Sequence, residues 1–142
     1  MYCGKEVYRV EGAGRVFLPA KFRIKVDEGK VIVTRGFEEC LLVYPLSEWR
    51  NLESKLHSLP FTDARARYLL RWFVGNAEIV EIDKQGRIRI PRHLLDYAHL
   101  ETEVLIIGLL NKIELWNPRK YEEYERMMES KVDERDFKEL GI

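Results

Sequence analysis

Residues 82–91 read IDKQGRIRIP, and they place three cationic side chains in a chain whose formal net charge is zero. The centre of the stretch, Asp83-Lys84-Gln85-Gly86, has turn chemistry. Aspartate bonds its own backbone in tight turns, and glycine takes a positive φ at no steric cost. Upstream, Glu78-Ile79-Val80-Glu81-Ile82 is a strand-like run; downstream, Ile88-Arg89-Ile90 alternates apolar and polar as a half-buried strand does. Pro91 ends that strand and opens a short helix to Tyr97, because its missing N–H would be unpaired at the first helical position anyway. The stretch therefore predicts a hairpin that runs into a helix.

EGAGRVFLP, residues 11–19, is a looser copy. Sliding the chain against itself by 72 positions aligns it without a gap: Glu11 falls on Asp83, Gly14 on Gly86, Arg15 on Arg87, Val16 on Ile88, Leu18 on Ile90 and Pro19 on Pro91. Beyond the boxes, Phe22 meets Leu94, Gly36 meets Gly108, Leu41 meets Ile113, Tyr44 meets Trp116 and Trp49 meets Tyr121. Two copies are too few for a solenoid. They predict a pseudo-symmetric pair, a homodimer fused into one chain.

In the second copy two more strands follow, Val104–Ile107 and Ile113–Trp116, around a turn near Asn111-Lys112. The first is apolar on both faces, so interleaved copies should bury it on both sides. Each copy then appends a helix. Trp49, Leu52, Leu56 and Leu59 share one helical face, and Tyr121, Tyr124 and Met128 form its counterpart. Such stripes are core or subunit interface. Thr62-Asp63 opens a further helix, which passes Tyr68, Leu69, Trp72 and Phe73 to a stop at Gly75-Asn76. The expected organisation is a first half over 1–60 with a helix at about 46–58, a connecting helix over 61–76, and a second half over 77–130 with a helix at about 118–130. A charged, poorly patterned tail over 131–142 is expected to fray.

The composition, 46% hydrophobic and 34% charged, is that of a soluble globular protein. Its longest apolar run, residues 104–110, is far short of the about 20 residues a membrane span needs. Neutral overall, the chain segregates its charge: residues 1–25 carry six positive and two negative side chains, whereas residues 120–142 carry five positive and eight negative. Both boxes lie in positive segments, which points to an anionic partner. Cys3 and Cys40 have no close partner, and His57, His93 and His99 lack paired metal-ligand spacing, so neither a disulfide framework nor a metal site is expected. Gly12-Ala13-Gly14 opens like a dinucleotide fingerprint, but its third glycine is absent and a strand follows. The sequence predicts no catalytic site, no cofactor, no small-molecule substrate and a cytoplasmic setting.

The pattern apolar-Asp-x-x-Gly-Arg-apolar-x-apolar-Pro, here IDKQGRIRIP, resembles the AbrB/MazE swapped-hairpin DNA-binding module. Over residues 5–128 the chain resembles the MraZ family more specifically, through PAKFR (19–23), CLLVYPLSEW (40–49), RWFVGNA (71–77) and ELW (114–116). That resemblance implies an α+β, β-rich fold: a pseudo-two-fold double swapped-hairpin β-barrel with appended helices. It also implies a nucleoid-associated transcription factor, usually a repressor of its own division and cell-wall operon. Such proteins bind short direct repeats in promoter DNA as ring-shaped oligomers.

Carried over residue by residue, the DNA-facing arginines are Arg15 and Arg87, and the box carboxylates Asp83 and Glu11. Arg presents a planar fork that fits guanine bidentately or grips phosphate. The expectation is that Asp83 holds the Arg87 fork through an ion pair across the turn. Lys84, Arg89 and Arg92, together with Lys21 and Arg23, then meet phosphates, which position without specifying. Copy one departs from the family pattern at Glu11 and Ala13 and carries Phe17 where copy two has Arg89, so it should contribute less to binding or be tuned to a different base step. Trp49/Leu52 and Tyr121/Tyr124/Met128 are the candidate oligomer faces. Two rival readings remain: an antitoxin-like regulator with a toxin-binding tail, and an oligomeric scaffold whose boxes are only turns.

Overall fold

In the computed structural model, which describes residues 1–23, 26 and 29–142, each box is a turn between antiparallel strands. The first copy supplies β1 (Lys5–Glu11), β2 (Arg15–Phe17), β3 (Lys30–Arg35) and β4 (Leu41–Pro45). The second supplies β5 (Glu78–Glu81), β6 (Arg87–Arg89), β7 (Glu103–Leu109) and β8 (Lys112–Trp116). Their order in the sheet is β5-β3-β4-β8-β7-β1-β2-β6, antiparallel throughout. The copies interleave, since β1 pairs with β7 and β3 with β5. The two ends of the order, β5 and β6, are joined by the second box turn, where the Asp83 N–H donates to the Arg87 carbonyl at 2.9 Å. The result is a nearly closed eight-stranded barrel.

Two cross-strand pairs mark the pseudo-two-fold axis. Val16 lies opposite Ile88, and Leu42 lies opposite Glu114. Each pair joins residues 72 apart, so equivalent positions of the two copies face each other. Val16 and Ile88 are fully buried, at the centre of a barrel core with Leu18, Ile90, Leu94 and Leu115.

The gap-free repeat fails in one place. Val33 lies opposite Val43, whereas Ile106 lies opposite Leu115, the equivalent of Val43. Strand β3 therefore matches β7 at an offset of 73, not 72. Side-chain parity requires this shift: Val31 and Val33 share the barrel core with Val104 and Ile106, while an offset of 72 sets Val31 on exposed Glu103. A slip of one residue moves a strand's side chains to the opposite face. The shift is undone in the hairpins. Five residues, 36–40, separate the paired Arg35 and Leu41, but only four, 109–112, separate the corresponding Gly108 and Ile113. Gly36 and Gly108 are thus not equivalents. A Cβ on Gly36 would meet the Cys40 Sγ at 2.7 Å, whereas one on Gly108 would meet the Cys3 backbone nitrogen at 2.5 Å.

As its composition implies, β7 is buried on both faces: Val104 and Ile106 point into the barrel and Leu105 points out, against Trp116. Among the described residues six helices decorate the barrel: α1 (Ala20–Arg23), α2 (Leu46–His57), α3 (Ala64–Phe73), α4 (Arg92–Tyr97), α5 (Pro118–Glu129) and α6 (Glu134–Glu139). Pro91 sits at the N-cap of α4 rather than inside it. Asp63 caps α3 by accepting from the Arg65 N–H at 2.8 Å, and Asn117 caps α5 by accepting from Arg119 and Lys120.

One expectation is corrected by the helices. The tail does not simply fray: Asp133 and Asp136 form a reciprocal capping box that starts α6. The Trp49/Leu52 face of α2 packs within the chain against α3. Trp49 is 8% exposed and stacks on Phe73 at 5.6 Å, and Leu52 packs at the margin of the same cluster. The buried Thr34 hydroxyl fastens this lid by donating to the Phe73 carbonyl at 2.6 Å. On the second copy Tyr121 and Tyr124 pack on Trp116, with centroids 5.0 and 5.3 Å away, and Met128 is half-buried.

Candidate nucleic-acid interface

Strands β2 and β6 form a ribbon of three residue pairs across the pseudo-axis, with a box turn beside each strand. Val16 and Ile88 point inward, so the flanking pairs, Arg15 with Arg89 and Phe17 with Arg87, point outward. One surface therefore gathers both box arginines, Arg89 and the single aromatic that replaces its counterpart.

The turns are shaped by Gly14 at φ +84° and Gly86 at φ +82°, a region that side chains other than glycine adopt only with strain. Gly14 leaves no room for a Cβ, which would meet the Leu95 Cδ1 at 2.6 Å and the Ile90 carbonyl at 3.0 Å. A Cβ on Gly86 would instead meet the Arg23 guanidinium, at 2.9 Å. Leu95 and Arg23 occupy equivalent places in the two copies, so one turn rests on an alkyl group and the other on a cation.

Asp83 does not pair with the Arg87 guanidinium, contrary to expectation. Its Oδ1 accepts from the backbone N–H groups of Gln85 and Arg87, both at 2.9 Å. These bonds, that from Arg87 foremost, hold its carboxyl below the usual carboxylate range. The partner of the Arg87 side chain comes from the other copy: Nε donates to the Glu11 Oε2 at 2.9 Å. The Gln85 amide oxygen accepts from Nη1 at 3.1 Å, and the guanidinium lies 6.0 Å from the centroid of the Phe17 ring. Side-chain length explains the exchange. Aspartate is short enough to bond its own turn, while glutamate has the extra methylene that lets it cross to the neighbouring box. Nothing local in the sequence signals this pair, whose members are 76 positions apart.

The other expected cations fall into two groups. Arg15, Lys84 and Arg89 are exposed and make no ion pair among the described residues. Lys21 pairs with Glu6 at 3.4 Å, Arg92 with Asp96 at 3.2 Å, and Arg23 lies over the Phe17 ring at 5.4 Å. Arg15 thus faces Arg89 on β6 and Glu11 on β1, and the Asp83 carboxylate lies near enough to feel its charge. Like charges opposite each other destabilise a sheet, so the Arg15–Arg89 pair does not itself stabilise the fold.

Among the described residues no group of three His, Cys, Asp or Glu side chains is placed to hold a metal, and no helix is long and apolar enough to cross a membrane. His57, His93 and His99 are all exposed.

Comparison with known proteins agrees with the repeat. A family described as "MraZ protein, putative antitoxin-like" matches twice, over residues 1–72 and 73–140. The chain is 44% identical to a protein of Halothermothrix orenii named transcriptional regulator MraZ, over the full length of both. It is 48% identical over 124 residues to a protein of Acetivibrio thermocellus of the same name, covering 87% of this chain and 86% of the other. With a Thermoanaerobacter protein, also so named, it shares 44% identity over 87% of this chain and 86% of that one. This chain belongs to the MraZ family.

Proposed function

We propose that the chain is a sequence-specific DNA-binding transcriptional regulator. It represses its own division and cell-wall operon at the nucleoid by binding short direct repeats in the promoter as a ring-shaped oligomer. The observation that carries the DNA reading is the outward ribbon on which exposed Arg15 opposes exposed Arg89, with Lys84 and Arg87 beside them. A two-stranded ribbon fits the major groove, where arginine meets guanine O6 and N7, and exposed cations meet phosphates.

One ribbon with a few phosphate contacts binds weakly, at about 10⁻⁴ to 10⁻⁶ M for non-specific DNA. A ring that engages several repeats gains avidity on the order of 10² to 10⁴. With the Trp49 face covered by α3, the Tyr121/Tyr124/Met128 side is the remaining candidate for contact between copies. The antitoxin-like alternative needs a tail free to wrap a partner. Packing of α5 on Trp116 and its Asn117 cap favour the regulator reading instead.

The test is fluorescence anisotropy with a duplex taken from immediately upstream of the gene, against a scrambled duplex, over a salt series. Arg15→Ala is expected to weaken binding to both duplexes and to reduce the slope of log K against log salt by about one. Unchanged affinity and slope would leave the scaffold reading standing.

A further inference from the structure

The two box arginines are held differently, and the difference divides their work. Arg15 is exposed and forms no ion pair among the described residues, although Glu11 stands opposite it across β1 and β2. Arg87 is fixed from three sides, by Glu11 on Nε, Gln85 on Nη1 and the face of Phe17, and its side chain is only 26% exposed. An exposed ion pair contributes little to stability, so the value of the Glu11 contact lies elsewhere.

Two consequences follow from the geometry. First, a guanidinium has five N–H donors, and Glu11 and Gln85 engage one each. Both hydrogens of Nη2 and one of Nη1 remain uncommitted, on an edge whose direction is already set. Freezing a long side chain before binding removes the entropic cost of ordering it at the interface. Second, the Glu11–Arg87 pair is neutral as a unit, and the Glu11 carboxylate repels phosphate. A neutral, oriented donor edge is poorly suited to gripping a phosphate and well suited to a base edge. Arg15, Arg89 and Lys84 are instead exposed, and none of them forms an ion pair among the described residues.

We propose that Glu11 is a positioning residue that aims Arg87 at a base edge, leaving Arg15, Arg89 and Lys84 to hold phosphates. The proposal rests on the ribbon being the DNA interface, and it gives Glu11, the residue at which copy one departs from the aspartate of copy two, a role of its own. It also sets the inequality of the halves in a particular form: the first box lends its carboxylate to the second and keeps an exposed arginine.

The experiment measures the ratio of Kd for a scrambled duplex to Kd for the duplex from upstream of the gene. It compares the full-length parent with Glu11→Gln, Arg87→Ala and the double variant. A bidentate arginine–guanine contact is worth about 1–3 kcal/mol of discrimination, a factor of about 5 to 150, and losing the bracing is expected to lower the ratio about five- to tenfold. Binding of Glu11→Gln to the scrambled duplex should stay equal or tighten, since a repelling charge has gone. In the Arg87→Ala background, Glu11→Gln should leave the ratio unchanged. The proposal is overturned if Glu11→Gln leaves the ratio of the parent intact, or lowers it equally in both backgrounds, or weakens both duplexes in parallel with a lowered melting temperature. A parent that does not distinguish the two duplexes overturns the DNA reading itself, before Glu11 is in question.

Discussion

Alanine at the two box glycines should separate folding from binding. Gly14 and Gly86 share nearly the same backbone, at φ +84° and +82°, so each alanine carries the same left-handed penalty of about 1–2 kcal/mol. Their surroundings differ. At Gly14 the new methyl group would lie 2.6 Å from the Leu95 Cδ1, and Leu95 is 5% exposed, wedged in the barrel core. The Ile90 carbonyl, 3.0 Å away, belongs to the backbone and cannot step aside. Overpacking of this kind adds about 1–3 kcal/mol, for a total of about 2–5 kcal/mol. At Gly86 the obstructing atoms are the guanidinium of Arg23, the far end of a flexible side chain that can swing away. Gly86→Ala should therefore cost only the backbone term, about 1–2 kcal/mol. It should nonetheless weaken DNA binding, because Arg23 leaves the Phe17 ring against which Arg87 also lies. Urea unfolding followed by circular dichroism, at one fixed protein concentration, gives both stabilities, and an unchanged m value licenses the comparison. Equal losses, or a larger loss for Gly86→Ala, would refute the assignment of Leu95 and Arg23 as rigid and yielding neighbours.

Two further outcomes follow from groups described above. Thr34→Val keeps the shape of a fully buried side chain but removes the donor to the Phe73 carbonyl, so it should cost about 1–3 kcal/mol; a loss near zero in the same urea assay would mean that α3 is not fastened there. Asp83 has a folded pKa depressed below its unfolded value, so its contribution to stability is complete above about pH 4 and is lost as pH falls through the folded pKa. Its carboxyl should titrate below the ordinary aspartate midpoint by NMR, and Asp83→Asn should flatten the acid limb of the unfolding curve; a midpoint at or above the ordinary value contradicts the turn bonds.

Much of the barrel was readable because its signals are local. Turn chemistry at Asp83 and Gly86, period-two alternation at Ile88-Arg89-Ile90 and the helix start at Thr62-Asp63 each concern a few neighbouring residues, and all reappear in the structure. The gap-free repeat captured every strand except β3 and β7. An alignment by residue type rewarded the match of Gly36 with Gly108, but it carries no record of which face a side chain takes. Only the pairing partners reveal that parity demands one residue more. The arginines were legible as a set, through the box and the positive segments. Which carboxylate holds which arginine was not, because Glu11 and Arg87 meet only when β2 and β6 pair across the axis. The Trp49 stripe was legible only in part for a similar reason: a helical stripe announces that it will be covered, not by what.

The cross-strand pair of Leu42 with Glu114 has a consequence for what the fused chain permits. In a dimer of two identical second halves, each Glu114 would stand opposite another Glu114, two carboxylates in direct apposition. Arg87 would likewise oppose Arg89 on both sides of the ribbon, with no Phe17 to separate the charges. Fusion lets leucine face glutamate on the axis, a combination that no self-paired module can reach. The second half is thereby committed to the first: it has specialised so far along its seam that a copy of itself has become the wrong mate.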